Sequence, residues 1–180
     1  MTEDGVMRLL PLLLALLALA APAQGPSYRD SGMKNVVQVA IVCRDIEATA
    51  QRWASVLGVD PPQIRTTRPG GEVKVQFRGK PSGAQAKLAF IKLGQVTLEL
   101  IQPLGAGSSW KEFLDARGEG VQHIAFQVAD LDQTVKGLAA TGVPVLHQGR
   151  YDSDNGSYVY VDSAKALGVT LELLHSDGKK

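Results

Sequence analysis

One apolar pentapeptide occurs twice in this chain, as Val96-Thr97-Leu98-Glu99-Leu100 and as Val169-Thr170-Leu171-Glu172-Leu173, each time with a single glutamate in fourth place. A carboxylate in a β-type apolar run is costly to bury unless a cation meets it, so a duplicated one points to a site assembled from two equivalent halves. A second match lies upstream of each copy. Val37-Gln38-Val39-Ala40-Ile41 aligns with Gln122-His123-Ile124-Ala125-Phe126; onward, Asp45 meets Asp130, Thr49 meets Thr134, Ala54 meets Ala139 and Gly58-Val59 meets Gly142-Val143. Gln38, Glu99, His123 and Glu172 therefore occupy equivalent places in two diverged copies of one module.

Strand side chains alternate between faces. Gln38 then shares a face with Val36, Ala40 and Val42, and His123 with Val121, Ala125 and Gln127. Glu99 is flanked on its face by Thr97 and Ile101, and Glu172 by Thr170 and Leu174, with no lysine or arginine in either segment. The carboxylates are expected to point inward, where a metal ion resolves their burial. A lone strand glutamate is usually solvated and a lone strand histidine usually structural; what favours a shared site is the equivalence of all four positions. One nitrogen and three oxygens suit a divalent cation such as Zn, Co, Ni, Mn or Mg.

These residues need two β-α-β-β-β modules to position them. In the first module, residues 35–103, a strand from Asn35 to Cys43 leads to a helix capped by Asp45, with apolar Ile46, Ala50, Trp53 and Leu57 at helical spacing and Gly58 as its stop. Arg65 to Gly71 reads as a basic loop, Val73 to Phe77 as a strand, and Lys87 to Leu93 with Gln95 to Ile101 as a hairpin about Gly94. Residues 104–119 form a connector whose short helix opens on a Ser109/Glu112 capping box. The second module, residues 120–175, repeats the order: strand Val121 to Val128, a helix from Asp130 to Ala140, and strands near Val143 to His147, Ser157 to Val161 and Val169 to Leu174. Residues 176–180 are a solvated tail.

The run Leu9 to Ala20, followed by Ala21-Pro22-Ala23, has the length and small-residue ending of a secretory signal, so residues 1–23 are expected to be cleaved after Ala23 and residues 24–34 to form a mobile lead-in. A start at Met7 gives a better n-region than Met1. The expected location is secreted or periplasmic, with no stable membrane association once the signal is gone. Cys43 is the single cysteine, which excludes an intrachain disulfide, and its apolar strand makes it a buried thiol. With 19 basic and 18 acidic residues and no basic stripe interleaved with aromatics, nucleic acid is not an implied partner. A small-molecule substrate is, with a homodimer left open. Lys87 and Arg78 are cations that could reach an anionic substrate tail.

The arrangement resembles the vicinal oxygen chelate superfamily, which includes glyoxalase I, methylmalonyl-CoA epimerase, extradiol dioxygenases and bleomycin-resistance proteins. The segments Leu98-Glu99-Leu100-Ile101-Gln102-Pro103-Leu104-Gly105, Arg117-Gly118-Glu119-Gly120-Val121-Gln122-His123-Ile124-Ala125-Phe126 and Gly168-Val169-Thr170-Leu171-Glu172-Leu173 are most similar to methylmalonyl-CoA epimerase. The resemblance implies an α+β fold in which the tandem modules form an eight-stranded cup with a metal at its centre. It implies an enzyme that abstracts a proton beside a metal-chelated carbonyl, with Glu172, and after it Glu99, as the expected catalytic base. Two positions depart from the epimerase: Gln38 stands for a histidine, and the second acid/base glutamate falls at about Ala89. The set Gln, Glu, His, Glu is similar to that of zinc-type glyoxalase I, so a lactoylglutathione-lyase-like enzyme is one alternative and a metal-free binder of the bleomycin-resistance type another.

Overall fold

A computed structural model of the chain describes residues 31–178, so the expected signal segment and most of the expected lead-in lie outside the described residues. Strand β1, Val36–Val42, runs into helix α1, Ile46–Leu57, whose first turn is held by the Asp45 side chain accepting from the Ala48 N–H. Gly58 ends it in the left-handed region at φ 67°. The first module continues with β2 at Ile64–Thr66, a short hairpin of β3 (Gln76–Phe77) and β4 (Lys80–Pro81), β5 at Gln85–Leu93 and β6 at Val96–Leu104. After the connector helix α2, Ser109–Arg117, come β7 (Gly120–Gln127), α3 (Leu131–Ala140), β8 (Val145–Arg150), β9 (Gly156–Val161), the four-residue helix α4 (Ala164–Leu167) and β10 (Thr170–Ser176).

Among the described residues ten strands join one curled mixed sheet in the order β2-β5-β6-β1-β7-β10-β9-β8-β3-β4. Four strands of each module thus lie side by side, joined at the antiparallel β1–β7 pair, and the parallel pairs β1–β6 and β7–β10 sit symmetrically about that seam. The convex face is covered by helices: Cys43, Ile46, Ala50, Leu98 and Leu100 pack under α1, and Val128, Leu138, Val161 and Leu173 under α3. The concave face carries a separate cluster of Ala40, Val42, Leu88, Ile101, Trp110, Leu114 and Tyr160. Cys43 is buried, as its strand predicts, and burial pushes its thiol pKa up. Among the described residues no helix is long and apolar enough to cross a membrane.

The structure corrects several expectations. Val73 to Phe77 is not a strand: residues 70–74 are turns, Lys74 adopts φ 54°, and only Gln76–Phe77 pairs. The hairpin it begins adds to β8 of the other module instead of staying in its own. Residues 67–84 thereby bridge the mouth of the cup, with Arg150 N–H donating to the Val73 carbonyl and Arg78 N–H to the Leu146 carbonyl, both at 2.8 Å. Arg65 and Thr66 belong to β2 and not to a loop. The strand expected to end at Ile101 runs on through Pro103 to Leu104. The cap of α2 is Ser108, accepting from the Lys111 N–H, while Ser109 turns inward to His147 Nδ1 at 3.0 Å.

The bridge depends on close backbone contact at Gly70, where a β-carbon would fall 2.5 Å from the Ser82 carbonyl oxygen and 2.8 Å from that of Ala84. Gly70→Ala is expected to destabilise the protein by about 1–3 kcal/mol in urea unfolding, with faster hydrogen exchange confined to residues 70–84. Unchanged exchange there would contradict the bridging role.

Candidate metal centre

Each half contributes a row of side chains across the concave face. Strand register puts Phe90 opposite Glu99, Glu99 beside Ala40, and Ala40 opposite His123. The mirror row places Tyr160 opposite Glu172, Glu172 beside Ala125, and Ala125 opposite Gln38. Glu99 thus meets His123 across Ala40, and Glu172 meets Gln38 across Ala125; two fully buried alanines leave the space between the polar groups open. The β1–β7 ladder shifts register on both sides of Gln38 to Ala40, a local irregularity of the kind that re-aims side chains at functional sites.

All four side chains predicted from the sequence come together. Gln38 Nε2 lies 2.6 Å from Glu99 Oε2, 3.3 Å from Glu172 Oε2 and 3.3 Å from His123 Nε2. His123 Nε2 in turn lies 3.0 Å from Glu172 Oε2 and 3.5 Å from Glu99 Oε2. One donor atom from each of Glu99, His123 and Glu172 fits within 4.8 Å of the others. Glu99, Glu172 and Gln38 are at most 9% exposed and His123 is fully buried.

As hydrogen-bond partners these groups conflict. The Gln38 amide carries two hydrogens and faces three acceptors if His123 is neutral; if His123 is protonated at Nε2, two donors face each other. As ligands they agree, because a half-turn of the amide aims Oε1, two carboxylate oxygens and an imidazole lone pair at one point. The tautomer this requires is held from behind: His123 Nδ1 lies 2.7 Å from Gln122 Oε1, an acceptor that fixes the ring and leaves Nε2 free for the ion. The residues present therefore fit a divalent cation. Burial lowers the His123 pKa, but the charge of Glu172 and contacts with both glutamates outweigh it and raise the value to about 9. Burial pushes the Glu99 carboxyl up, against the opposing pull of His123.

A cavity of about 230 Å³ opens onto the centre, walled by Leu88, Phe90, Trp110, Tyr158 and Tyr160 and roofed by Val73 and Val75. Residues 37–161 match the profile of the Glyoxalase/Bleomycin resistance protein/Dioxygenase superfamily. The chain belongs to this superfamily. An ethylmalonyl-CoA/methylmalonyl-CoA epimerase of Cereibacter sphaeroides is 32% identical over 114 residues, covering 62% of this chain and 73% of that protein. The crystal structure of methylmalonyl-CoA epimerase from Mycobacterium tuberculosis matches with TM-score 0.60 at 23% identity, over 82% of this chain and 91% of that one. A Streptomyces coelicolor methylmalonyl-CoA epimerase variant in complex with 2-nitronate-propionyl-CoA matches with TM-score 0.60 at 24% identity, over 80% and 98% of the respective chains. At such identities the structural likeness is one of fold.

Other expectations need correction. Ala89 does not face the cup: it packs with Ile46, Ala50 and Leu100 under α1. The cup-facing residues of β5 at that level are Leu88 and Phe90, neither of which carries a proton to transfer. Lys87 pairs with Glu47 at 2.5 Å and Arg78 with Glu112 at 2.6 Å, so neither lines the cavity; Arg65, Arg68 and Arg150 do. His147 is fully buried in an aromatic cluster and is not among the four donors, and burial, with the charge of His123, holds its pKa down at about 3. The sequence pattern did not reveal Gln122, Tyr160 or Trp110. Tyr160 is signalled only by register, since it stands opposite Glu172.

In the metal-free protein, His123 has a pKa raised above its unfolded value of about 6.5. Its contribution to stability is thus complete below about 6.5 and is lost as pH rises through about 9. A cation must displace that proton, so metal affinity should climb with pH up to about 9 and then level. Calorimetric cobalt titrations in buffers of different ionisation enthalpy are expected to show at least one proton released per ion at pH 7.5. No proton release at that pH would contradict the assignment.

Proposed function

We propose that the protein is a metal-dependent isomerase, epimerase or lyase that removes a proton from the carbon beside a chelated carbonyl, of the methylmalonyl-CoA epimerase type. The observation that supports this reading is the convergence of Gln38, Glu99, His123 and Glu172 on one point at the floor of the cavity. A divalent cation held there supplies Lewis acidity to two adjacent substrate oxygens. Gln38 presents its carbonyl oxygen, His123 presents Nε2 with Gln122 fixing the ring, and Glu99 stays in place as a neutralising ligand. Glu172 accepts the proton. A protonating carboxylate inside an apolar wall would need a polar partner beside it, and Tyr160, directly opposite Glu172 in the ladder, carries the hydroxyl that would serve. Glu99 faces Phe90, which offers none. Leu88, Trp110 and Val75 keep bulk water from the reacting carbon.

The lack of a proton carrier on the cup face of β5 favours a second reading beside the first. One carboxylate that takes a proton from one carbon and returns it to the next suffices for a lactoylglutathione-lyase-like reaction, whereas two-base inversion needs a donor on each face. A metal-free binder of the bleomycin-resistance type has no need of two carboxylates turned into the cup. Export of the chain remains part of the proposal; it would separate the protein from CoA thioesters, so its own substrate is expected to be another small carbonyl compound.

Metal-loaded protein is to be assayed in parallel on methylmalonyl-CoA and on the hemithioacetal of methylglyoxal. Glu172→Gln should lower kcat by about 100- to 10,000-fold with the circular dichroism spectrum unchanged. Tyr160→Phe should lower it by about tenfold at full metal content. Turnover by Glu172→Gln at the wild-type rate would remove Glu172 from the mechanism.

A further inference from the structure

Among the described residues three arginines line the cavity, and two are committed to holding the bridge and the rim. Arg68 pairs with Asp154 at 2.8 Å and Glu72 at 3.3 Å and donates to the Asp152 carbonyl at 3.1 Å. Arg150 pairs with Asp177 at 2.5 Å and donates to the Ser157 hydroxyl at 3.2 Å and to the carbonyl of Asp154. Arg65 is different. Among the described residues its guanidinium meets one carboxylate, Asp152 Oδ2 at 3.5 Å, the outer limit of a hydrogen bond, and otherwise lies over the Phe90 ring at 5.3 Å from its centroid.

Its place in the sheet aims it at the centre. Arg65 on edge strand β2 is in register with Leu88, a cavity residue, so its side chain leaves the sheet on the concave face; Ile64, one residue earlier, packs under α1. Arg65, Phe90 and Glu99 then form a sequence from rim to floor, since Phe90 stands directly opposite Glu99. The floor itself is electrically spent, because two glutamates neutralise a divalent cation. An additional negative group on a bound molecule finds its attraction at Arg65. A guanidinium held by one long contact can exchange that carboxylate for another and receive it with two parallel hydrogen bonds.

We propose that Arg65 is a specificity-determining residue that anchors a carboxylate on the substrate, so that the site takes a compact acid carrying that carboxylate in addition to its two chelating oxygens. The size of the cavity, about 230 Å³, suits such a molecule. The proposal rests on the metal-dependent function stated above.

The test uses two ligands with the same chelating group, acetohydroxamate and malonic acid monohydroxamate, titrated calorimetrically into metal-loaded protein. Wild type should bind the carboxylated ligand about tenfold more tightly or better. Arg65→Met, which keeps an apolar stem over Phe90, should abolish that preference while leaving the metal content and acetohydroxamate affinity unchanged. A preference that survives in Arg65→Met, or is absent from wild type, overturns the proposal. So does a selective loss of adenosine 3′,5′-bisphosphate binding in the variant, which would assign Arg65 to a nucleotide phosphate. If neither hydroxamate binds, the metal reading fails, and the anchor is then judged on metal-free protein. Malonate should displace Asp152 and shift the Arg65 Nε–H resonance; no shift overturns the anchor independently.

Discussion

Two carboxylates enclosed together at the seam of the sheet are the constraint on which the rest of the molecule depends. Donor atoms of Glu99 and Glu172 lie within 4.8 Å, where like charges repel by about 3–4 kcal/mol at an effective dielectric of about 20. Each also loses its hydration. Positive charge at the same point relieves both costs, either as a proton on His123 or as a divalent ion. The raised His123 pKa and the preference for a cation are therefore two expressions of one electrostatic demand. A proton satisfies it poorly, because a protonated His123 Nε2 sets one N–H donor against another on the Gln38 amide at 3.3 Å.

Duplication supplies the geometry, and divergence supplies the chemistry. Alanines at equivalent places, Ala40 and Ala125, keep the centre open on both sides of the seam. The rows differ at their ends. Phe90 closes one beside Glu99, with Arg65 stacked on it, and Tyr160 closes the other beside Glu172. That asymmetry gives the glutamates unequal neighbours: Glu172 stands opposite a hydroxyl-bearing ring and Glu99 opposite an apolar one. The connector helix α2 adds what neither module has, placing Trp110 against Tyr160 at a ring separation of 5.9 Å.

The four donors and the modular order were legible in the sequence because two-residue alternation and helical spacing report directly on which face is buried. Asp45, Asp130 and Gly58 marked helix ends for the same local reason. Features set by long-range contact were not legible. The strand expected at Val73 to Phe77 yields to the turn at Pro69-Gly70-Gly71 and to the attraction of the β8 edge in the other module. Ala89 looked like a cup position until register with Ile64 put it under α1. Gln122 was invisible as the partner of His123 because adjacent strand residues ordinarily point to opposite faces, and both are buried here beside a shifted register. Whether an arginine is free or committed depends on acids far along the chain, such as Asp152 and Asp177.

The most direct test is an anomalous-scattering crystal structure of protein grown with one equivalent of zinc or cobalt. The account predicts a single ion at the seam, about 2.0–2.3 Å from His123 Nε2 and from one oxygen each of Gln38, Glu99 and Glu172. A fully loaded crystal with the ion elsewhere, or with the two glutamates turned away from it, would contradict the account.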